Sequence, residues 1–368
     1  MSSSSTSPSG PEPSSQLSRY PLARRVLLSG AAAAATAVPL GSGLIQPAAA
    51  AGVPTAASGR TPPAPRGAGS VSGAPHLPAG FRDTFTSRYV DANGIRQHVV
   101  IGGDGPPLLL VHGWPQTWYA WRLIMPTLAK HFTVIAADQR GIGLSSKPAD
   151  GYDSGTLADD LVALMDALGH QRFALYGTDV GFPIAYALAA DHRERVARLV
   201  VSEAILPGVG NPLPLLVDPG RNERLWHIQF NRTAEVNERL VKGREDIYFG
   251  NEFHVAAAKP LPRYAVDYYI RMLRSDPHAL RGSFGWYRAL DVTIPQNEQR
   301  MTNRLTLPVL AIGGEFNTRD GIGITMKMTA DDVQTLILPG SGHWVAEESP
   351  TELLAALAQF LAPYRRGA

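Results

Sequence analysis

From about Phe81 onward, apolar residues come as short runs bounded by glycine and proline, with stretches of helical spacing between them. "RQHVVIGG" and "PPLLLVHG" are the first two runs, followed by "FTVIAADQRG" and "FALYG". "ARLVVSEAIL", "LPVLAIGG" and "VQTLILPG" complete the set. Short apolar runs closed off by turn formers are the mark of buried strands. Between the third and fourth runs, Leu157, Leu161, Leu164, Met165 and Leu168 recur at helical spacing, and Gly169 supplies a stop. "PTELLAALAQFLA" reads as a closing helix. Strands alternating with helices predict an α/β fold, with a mostly parallel sheet covered by helices on both faces.

The alternation stops between about Pro207 and Thr306. "NERLWHIQF", "VNERLVKGREDIYFGNEF" and "RYAVDYYIRMLRS" are helical in period and rich in aromatics, with no strand between them. This predicts a helical cap over 207–306, inserted into a core made of 81–206 and 307–368. Such an insertion lies over the strand ends, where open α/β sheets bind ligands.

Before Phe81 the chain is a different material. Arg24-Arg25 stand directly before Val26-Leu27-Leu28, an Ala-rich stretch follows, and small residues gather at Ala48–Ala51. The pattern is that of a twin-arginine export signal over 1–50, which predicts a secreted, extracytoplasmic bacterial protein. Pro39, Gly41 and Gly43 interrupt the apolar run, so a stable membrane anchor is not expected. Residues 51–80, rich in Pro, Gly and Ala, read as a disordered linker.

The chain is 44% hydrophobic and 18% charged, enough to bury a sizeable core. Lys+Arg 34 against Asp+Glu 32 leaves a net charge of +2, which argues against nucleic acid as a partner. The chain has no cysteine, so disulfides and thiolate metal sites are excluded. Nothing in the sequence calls for a cofactor or a metal. Homo-oligomerisation is left open.

The chemistry centres on "ALYGTDVGFPIAYALAA", a strand running into a glycine-flanked turn and then a helix. Many hydrolases place a serine nucleophile in such a turn; here the central residue is Asp179. A second match, Gly151-Tyr152-Asp153-Ser154-Gly155, has no strand before it and reads as a helix cap. His343 in "LPGSGHWVAEESP" comes last in chain order, as the histidine of α/β-hydrolase triads does. Two acids could orient it: Glu203, at the end of a strand, and Asp320, further into a loop. Glu203 is the better placed. His112-Gly113-Trp114-Pro115 ends another strand, where the Trp114 and Val180 amides could converge as an oxyanion hole.

Taken together, the stretch from about Phe81 to Ala362 resembles the α/β-hydrolase superfamily, and within it epoxide hydrolases and haloalkane or haloacetate dehalogenases. The resemblance is carried by the aspartate turn, the H-G-x-P turn, the segment from Asp138 to Ser145 and the late "GHW", all in the family's order. The Asp138–Ser145 segment itself reads as structural. The family resemblance implies that Asp179 attacks an sp³ carbon to form an alkyl ester, which water activated by His343 then hydrolyses. It also implies a ring-opening pair in the cap, at Tyr287 and at His227, where a tyrosine is more usual. A secreted bacterial branch of epoxide hydrolases is similar in this pairing and in an acid within "SEAILP", which corresponds to Glu203. Asn317 stands at the other acid position.

The expected reaction is therefore hydrolysis of a small, neutral, hydrophobic epoxide to a vicinal diol. Dehalogenation with the same nucleophile is the alternative. It is disfavoured because Ile228 follows His227 where that family carries tryptophan, and because Val180 and Pro183 stand where its carboxylate-binding arginines would be. A non-catalytic binding protein on the same fold is the second alternative.

Overall fold

The computed structural model describes residues 64–210 and 216–367. The expected export signal, with Arg24-Arg25, and the first part of the expected linker lie outside the described residues. Among the described residues no helix is long and apolar enough to cross a membrane.

Eight strands form one sheet: β1 (Phe85–Ala92), β2 (Ile95–Gly102), β3 (Pro107–Val111), β4 (Thr133–Ala137), β5 (Phe173–Thr178), β6 (Val196–Ser202), β7 (Val309–Gly314) and β8 (Val333–Leu338). Their order is β1-β2-β4-β3-β5-β6-β7-β8. The pairs from β4 through β8 are parallel, while β1–β2 and β2–β4 are antiparallel. The sequence reading finds every strand except β1. That strand joins β2 through Asn93 and Gly94, both at positive φ, the backbone that a two-residue hairpin turn requires.

The two-residue period of the strands divides the core in two. Leu108, Leu110, Val134, Ala136, Ala174, Tyr176 and Val200 belong to one buried cluster, with Leu353, Leu357 and Phe360 of the last helix. Their sequence neighbours Leu109, Val111, Ile135, Ala137, Leu175, Leu199 and Val201 belong to the other, with Leu161, Ile184 and Met326. Strands apolar on both faces must be covered on both.

The covering helices follow in chain order. Two single-turn helices, α1 (Phe81–Thr84) and α2 (Met125–Leu128), precede α3 (Ser154–Ala167) and α4 (Gly181–Asp191). Asp153 caps α3 by accepting from the Thr156 amide at 3.1 Å, so the "GYDSG" motif is a helix start. Between β6 and β7 the described residues form α5 (Pro219–Arg232), α6 (Val236–Val241), α7 (Glu245–Val255), α8 (Arg263–Arg274), α9 (Ala279–Arg288) and α10 (Leu290–Arg300), with no strand among them. Three more helices, α11 (Gly321–Thr329), α12 (Val345–Glu348) and α13 (Pro350–Arg366), complete the fold.

The expected disorder of the linker does not extend to its C-terminal part. Residues 64–80 are packed, with Ser70, Val71 and Ala74 buried. The anchoring is done by backbone groups. The Gly69 carbonyl accepts from Trp118 Nε1 at 2.9 Å and from the Tyr268 hydroxyl of α8 at 3.3 Å, and the Pro75 carbonyl accepts from the Tyr119 hydroxyl at 2.6 Å. A composition poor in large apolar side chains therefore does not leave this segment unattached.

The Asp138–Ser145 segment is a latch between strands and loops. Asp138 accepts from the Trp118 amide at 2.9 Å and the Leu144 amide at 3.0 Å, and pairs with His98 Nδ1 at 2.8 Å. Burial alone would raise its pKa, but the His98 and His112 partners outweigh that and lower it. Arg140 makes a fork with Asp160 of α3, Nε–Oδ2 at 2.6 Å and Nη2–Oδ1 at 2.7 Å. Removing one partner of a buried pair leaves the other charge uncompensated. Asp160→Ala is expected to destabilise the fold by roughly 3 kcal/mol, measured as a lower urea midpoint with the urea dependence otherwise unchanged.

Candidate active site

Asp179 sits between β5 and α4 with φ 51, a left-handed backbone that side chains other than glycine rarely adopt. The two glycines of the motif make the sharp turn feasible. A Cβ on Gly177 would collide with the Gly181 carbonyl, and one on Gly181 with the carbonyls of Val111 and His112. The Asp179 amide is tied to the Ser202 carbonyl at the end of β6, at 2.9 Å. The side chain thus stands at the C-terminal edge of the sheet, where neighbouring strands deliver their own groups.

The loop after β3 brings the Trp114 amide to Asp179 Oδ1 at 2.6 Å. Val180 opens α4 beside it as its N-cap. Among the described residues its amide forms no hydrogen bond to the Asp179 carboxylate, so one of the two expected donors is engaged. With Oδ1 occupied, Oδ2 is the oxygen turned to His343, whose Nε2 lies 3.4 Å away.

His343 follows β8 in a loop that Glu348 holds from within. Glu348 accepts from the amides of Gly342 and Trp344, each at 2.8 Å, and from the Ala258 amide between α7 and α8 at 2.9 Å. Nδ1 of His343 is 3.3 Å from Glu203 Oε2 and 3.0 Å from Asn317 Nδ2. Glu203, also at positive φ, is almost fully buried at 1% exposure. Its Oε1 accepts from the Gly314 amide and from Thr318 Oγ1 at 2.8 Å, and its Oε2 from Asn317 Nδ2 at 2.6 Å. These donors make an ionised carboxylate tenable in that position. Asp320, the alternative acid, is exposed at the start of α11 and forms no ion pair with His343.

Burial opposes the charged form of His343, yet hydrogen bonds and charges from Asp179 and Glu203 outweigh it and push the pKa up to about 10. The trio is linear, with the imidazole between two carboxylates. Among the described residues no group of three or more His, Asp or Glu side chains converges as a metal site.

The cap closes over this trio through Trp114. Its indole Nε1 donates to Ser283 Oγ of α9 at 2.7 Å. Its ring stacks on His227 of α5, centroids 5.1 Å apart and 15° from parallel, and meets Tyr287 of α9 edge-on at 5.3 Å. His227 and Tyr287 are themselves 5.7 Å apart in a T arrangement. Tyr287 is 2% exposed, and burial first, then the Asp179 charge, hold its phenol protonated well above the usual range. Asp179, His343, Glu203, Trp114, His227 and Tyr287 are therefore brought together.

Three participants escape the sequence reading. Asn317 is not an empty acid position but a donor to Glu203. Glu348 and Glu252 are buried carboxylates on helices, at 8% and 3% exposure, and Glu252 Oε2 lies 3.1 Å from His227 Nδ1. The clue for Glu252 is a lone acid in the aromatic stretch "IYFGNEF". Helical spacing alone does not say whether such an acid faces the solvent.

A carboxylate on a strand–turn–helix elbow, backed by histidine and a second buried carboxylate under a helical cap, defines a hydrolase of the α/β type. The chain belongs to that family: the α/β-hydrolase-fold family description matches residues 106–350. It is 33% identical over 282 residues to a soluble epoxide hydrolase of Corynebacterium sp. (strain C12), covering 74% of this chain and 96% of the relative. A fluoroacetate dehalogenase of Burkholderia sp. is 29% identical, covering 77% and 96% respectively. The crystal structure of wild-type Cfl2 from Burkholderia cenocepacia superposes with a TM-score of 0.73 at 35% identity, covering 75% of this chain and 96% of that one.

The raised pKa of His343 has a measurable sign. Its charge pairing contributes stability in full below the unfolded value of 6.5, and that stability is lost as pH rises to about 10. Asp179→Asn removes one of the two carboxylates. NMR titration of His343 should then give a lower pKa, and urea midpoints measured across the same pH window should fall less steeply than in the wild type.

Proposed function

We propose that the protein hydrolyses a neutral, hydrophobic epoxide to a vicinal diol through an alkyl ester on Asp179. The observation that carries this reading is the split role of the Asp179 oxygens, Oδ1 held by the Trp114 amide and Oδ2 facing His343 Nε2 at 3.4 Å, beside a Trp114 ring that packs on His227 and Tyr287. A carboxylate with an ordinary pKa of about 3.9 is ionised near neutral pH and needs no base to attack. Oδ2 displaces the epoxide oxygen from carbon, and the developing alkoxide takes a proton from the His227/Tyr287 pair. Asp179 is then a neutral ester and no longer holds a proton on His343, and that proton passes to the pair that opened the ring. His343, oriented by Glu203, removes a proton from water, and the hydroxide attacks the carboxyl carbon. The charge gathers on Oδ1 opposite the Trp114 N–H, with the adjacent Val180 amide as the second donor. Collapse breaks the bond from the carboxyl carbon to Oδ2, which leaves as the second hydroxyl of the diol by taking the proton that the hydroxide carried onto the new carboxyl group. The proton taken by His343 restores its resting imidazolium between two carboxylates.

The similarity to a soluble epoxide hydrolase supports this reading. Release of a halide from a haloacid has less support. Ile228, packed against the core, supplies no side-chain N–H beside His227, and Arg140 is already committed to Asp160. Export through the twin-arginine route is part of the proposal. It predicts that Arg24→Lys with Arg25→Lys retains the protein inside the cell, which fractionation would reveal.

In His343→Gln, mass spectrometry should find a substrate-sized adduct on Asp179 after incubation with styrene oxide. A single turnover of the wild type in ¹⁸O-water should place the label in Asp179 and leave the first equivalent of diol unlabelled. Label in that first diol instead would mean that water attacks the epoxide directly. Haloalkanes turned over in preference to every epoxide of a panel would assign the site to halide displacement.

A further inference from the structure

Behind the ring-opening pair lies a polar layer that the reaction as written does not use. On α5, His227 and Asn231 are one turn apart; on α7, Tyr248 and Glu252 are likewise one turn apart. The two helices pair these residues in antiparallel register. His227 Nδ1 meets Glu252 Oε2 at 3.1 Å, and Asn231 Oδ1 accepts from the Tyr248 hydroxyl at 2.6 Å. Residues one turn apart lie on the same helix face, so both contacts belong to one seam.

Glu252 is 3% exposed, and its Oε1 has no hydrogen-bond partner among the described residues. His227 is the one ion-pair partner it has among them. The other ionisable groups facing this seam are Tyr248 of α7, Tyr287 of α9 and, beyond them, Asp179, and none of these supplies a positive charge. Taking a carboxylate out of water costs several kcal/mol unless a cation or several donors compensate it. Glu203, in the same protein, has three hydrogen-bond donors around it besides the His343 imidazole; Glu252 has one imidazole.

The chemistry of that imidazole is then constrained. A bare Nδ1 lone pair cannot face an ionised carboxylate at this distance, so a proton lies between them. The contact is not aligned as a hydrogen bond, so it is close approach of the two groups rather than a directed bond that relates them. If Nδ1 keeps its proton, Nε2 can donate to an epoxide oxygen only when the ring carries both protons. A neutral ring would present an acceptor to the leaving oxygen and would oppose its departure.

We propose that Glu252 is the positioning residue of the ring-opening pair: its buried carboxylate fixes the His227 ring through Nδ1 and keeps it cationic, so that Nε2–H faces the substrate. The role in ring opening rests on the epoxide reading; the charge state of His227 does not. During alkylation the C–O bond of the epoxide breaks, its electron pair goes to oxygen, and the Nε2 proton is shared with that oxygen. Glu252 gains and loses nothing and holds the Nδ1 proton throughout.

The test combines a spectroscopic and a kinetic readout. In protein labelled with ¹⁵N-histidine, His227, assigned by its loss in His227→Gln, should show both ring nitrogens protonated at neutral pH. In Glu252→Gln, which preserves shape and removes charge, one of the two protons should be lost. By quenched flow with styrene oxide, Glu252→Gln should slow ester formation on Asp179 roughly tenfold or more, part of the roughly 10²–10⁴-fold that a positioned acid supplies. Hydrolysis of the ester should be unchanged, and Glu252→Asp should recover part of the loss. In a His227→Gln background, Glu252→Gln should cost nothing further, because both act through one group. A His227 that is neutral in the wild type, or equally charged in Glu252→Gln, overturns the proposal. So does an additive loss in the double variant. If His227 is cationic in a Glu252-dependent way but no epoxide ever alkylates Asp179, the failure lies with the epoxide reading and the ion pair stands.

Discussion

The hydrogen bond from the Trp114 amide to Asp179 Oδ1 organises the site. It makes two chemically identical oxygens different, one held by a backbone amide and one facing His343. It also ties the loop after β3 to the turn after β5, so that two adjacent strands of the sheet define a single point. From the same residue, the indole reaches upward to Ser283, His227 and Tyr287. Trp114 thus works at both ends: its backbone anchors the Asp179 carboxylate, and its side chain packs against the cap above it.

His343 is governed by the charges on either side of it. In the resting site the two carboxylates favour the imidazolium, a form unable to accept a proton from water. In the proposed reaction, esterification of Asp179 removes one of those charges and shifts the balance toward the neutral imidazole that the second step needs. Glu203 is held in place beside His343 by the Gly314 amide, Thr318 and Asn317.

Much of this was legible before any coordinates. Buried strands announce themselves as apolar runs, and Asp179 could be separated from Asp153 because only one of them follows such a run. Glu203 was favoured over Asp320 for the same reason: it ends a strand. What stayed hidden depended on polar or backbone groups. β1 alternates its burial and lacks an apolar run, and the Asn93-Gly94 signal was the one mark of its hairpin. The segment 64–80 read as linker because its main attachments are carbonyl oxygens, which composition cannot register. Asn317 looked like a missing acid, since its value lies in an amide proton given to Glu203. Glu252 shows no distinctive spacing at all. Its meaning depends on which helix packs against it.

The double acceptance by the Gly69 carbonyl, from Trp118 in the core and Tyr268 in α8, has a mechanical consequence. It pins one margin of the cap to the sheet through a segment belonging to neither. α8 buries Ala265, Tyr268, Tyr269, Ile270, Met272 and Leu273, whereas α5 buries only Asn231. A plate clamped along one side yields along the other. The cap is thereby held most firmly at its α8 margin, and α5, the helix that carries His227, is its less anchored side.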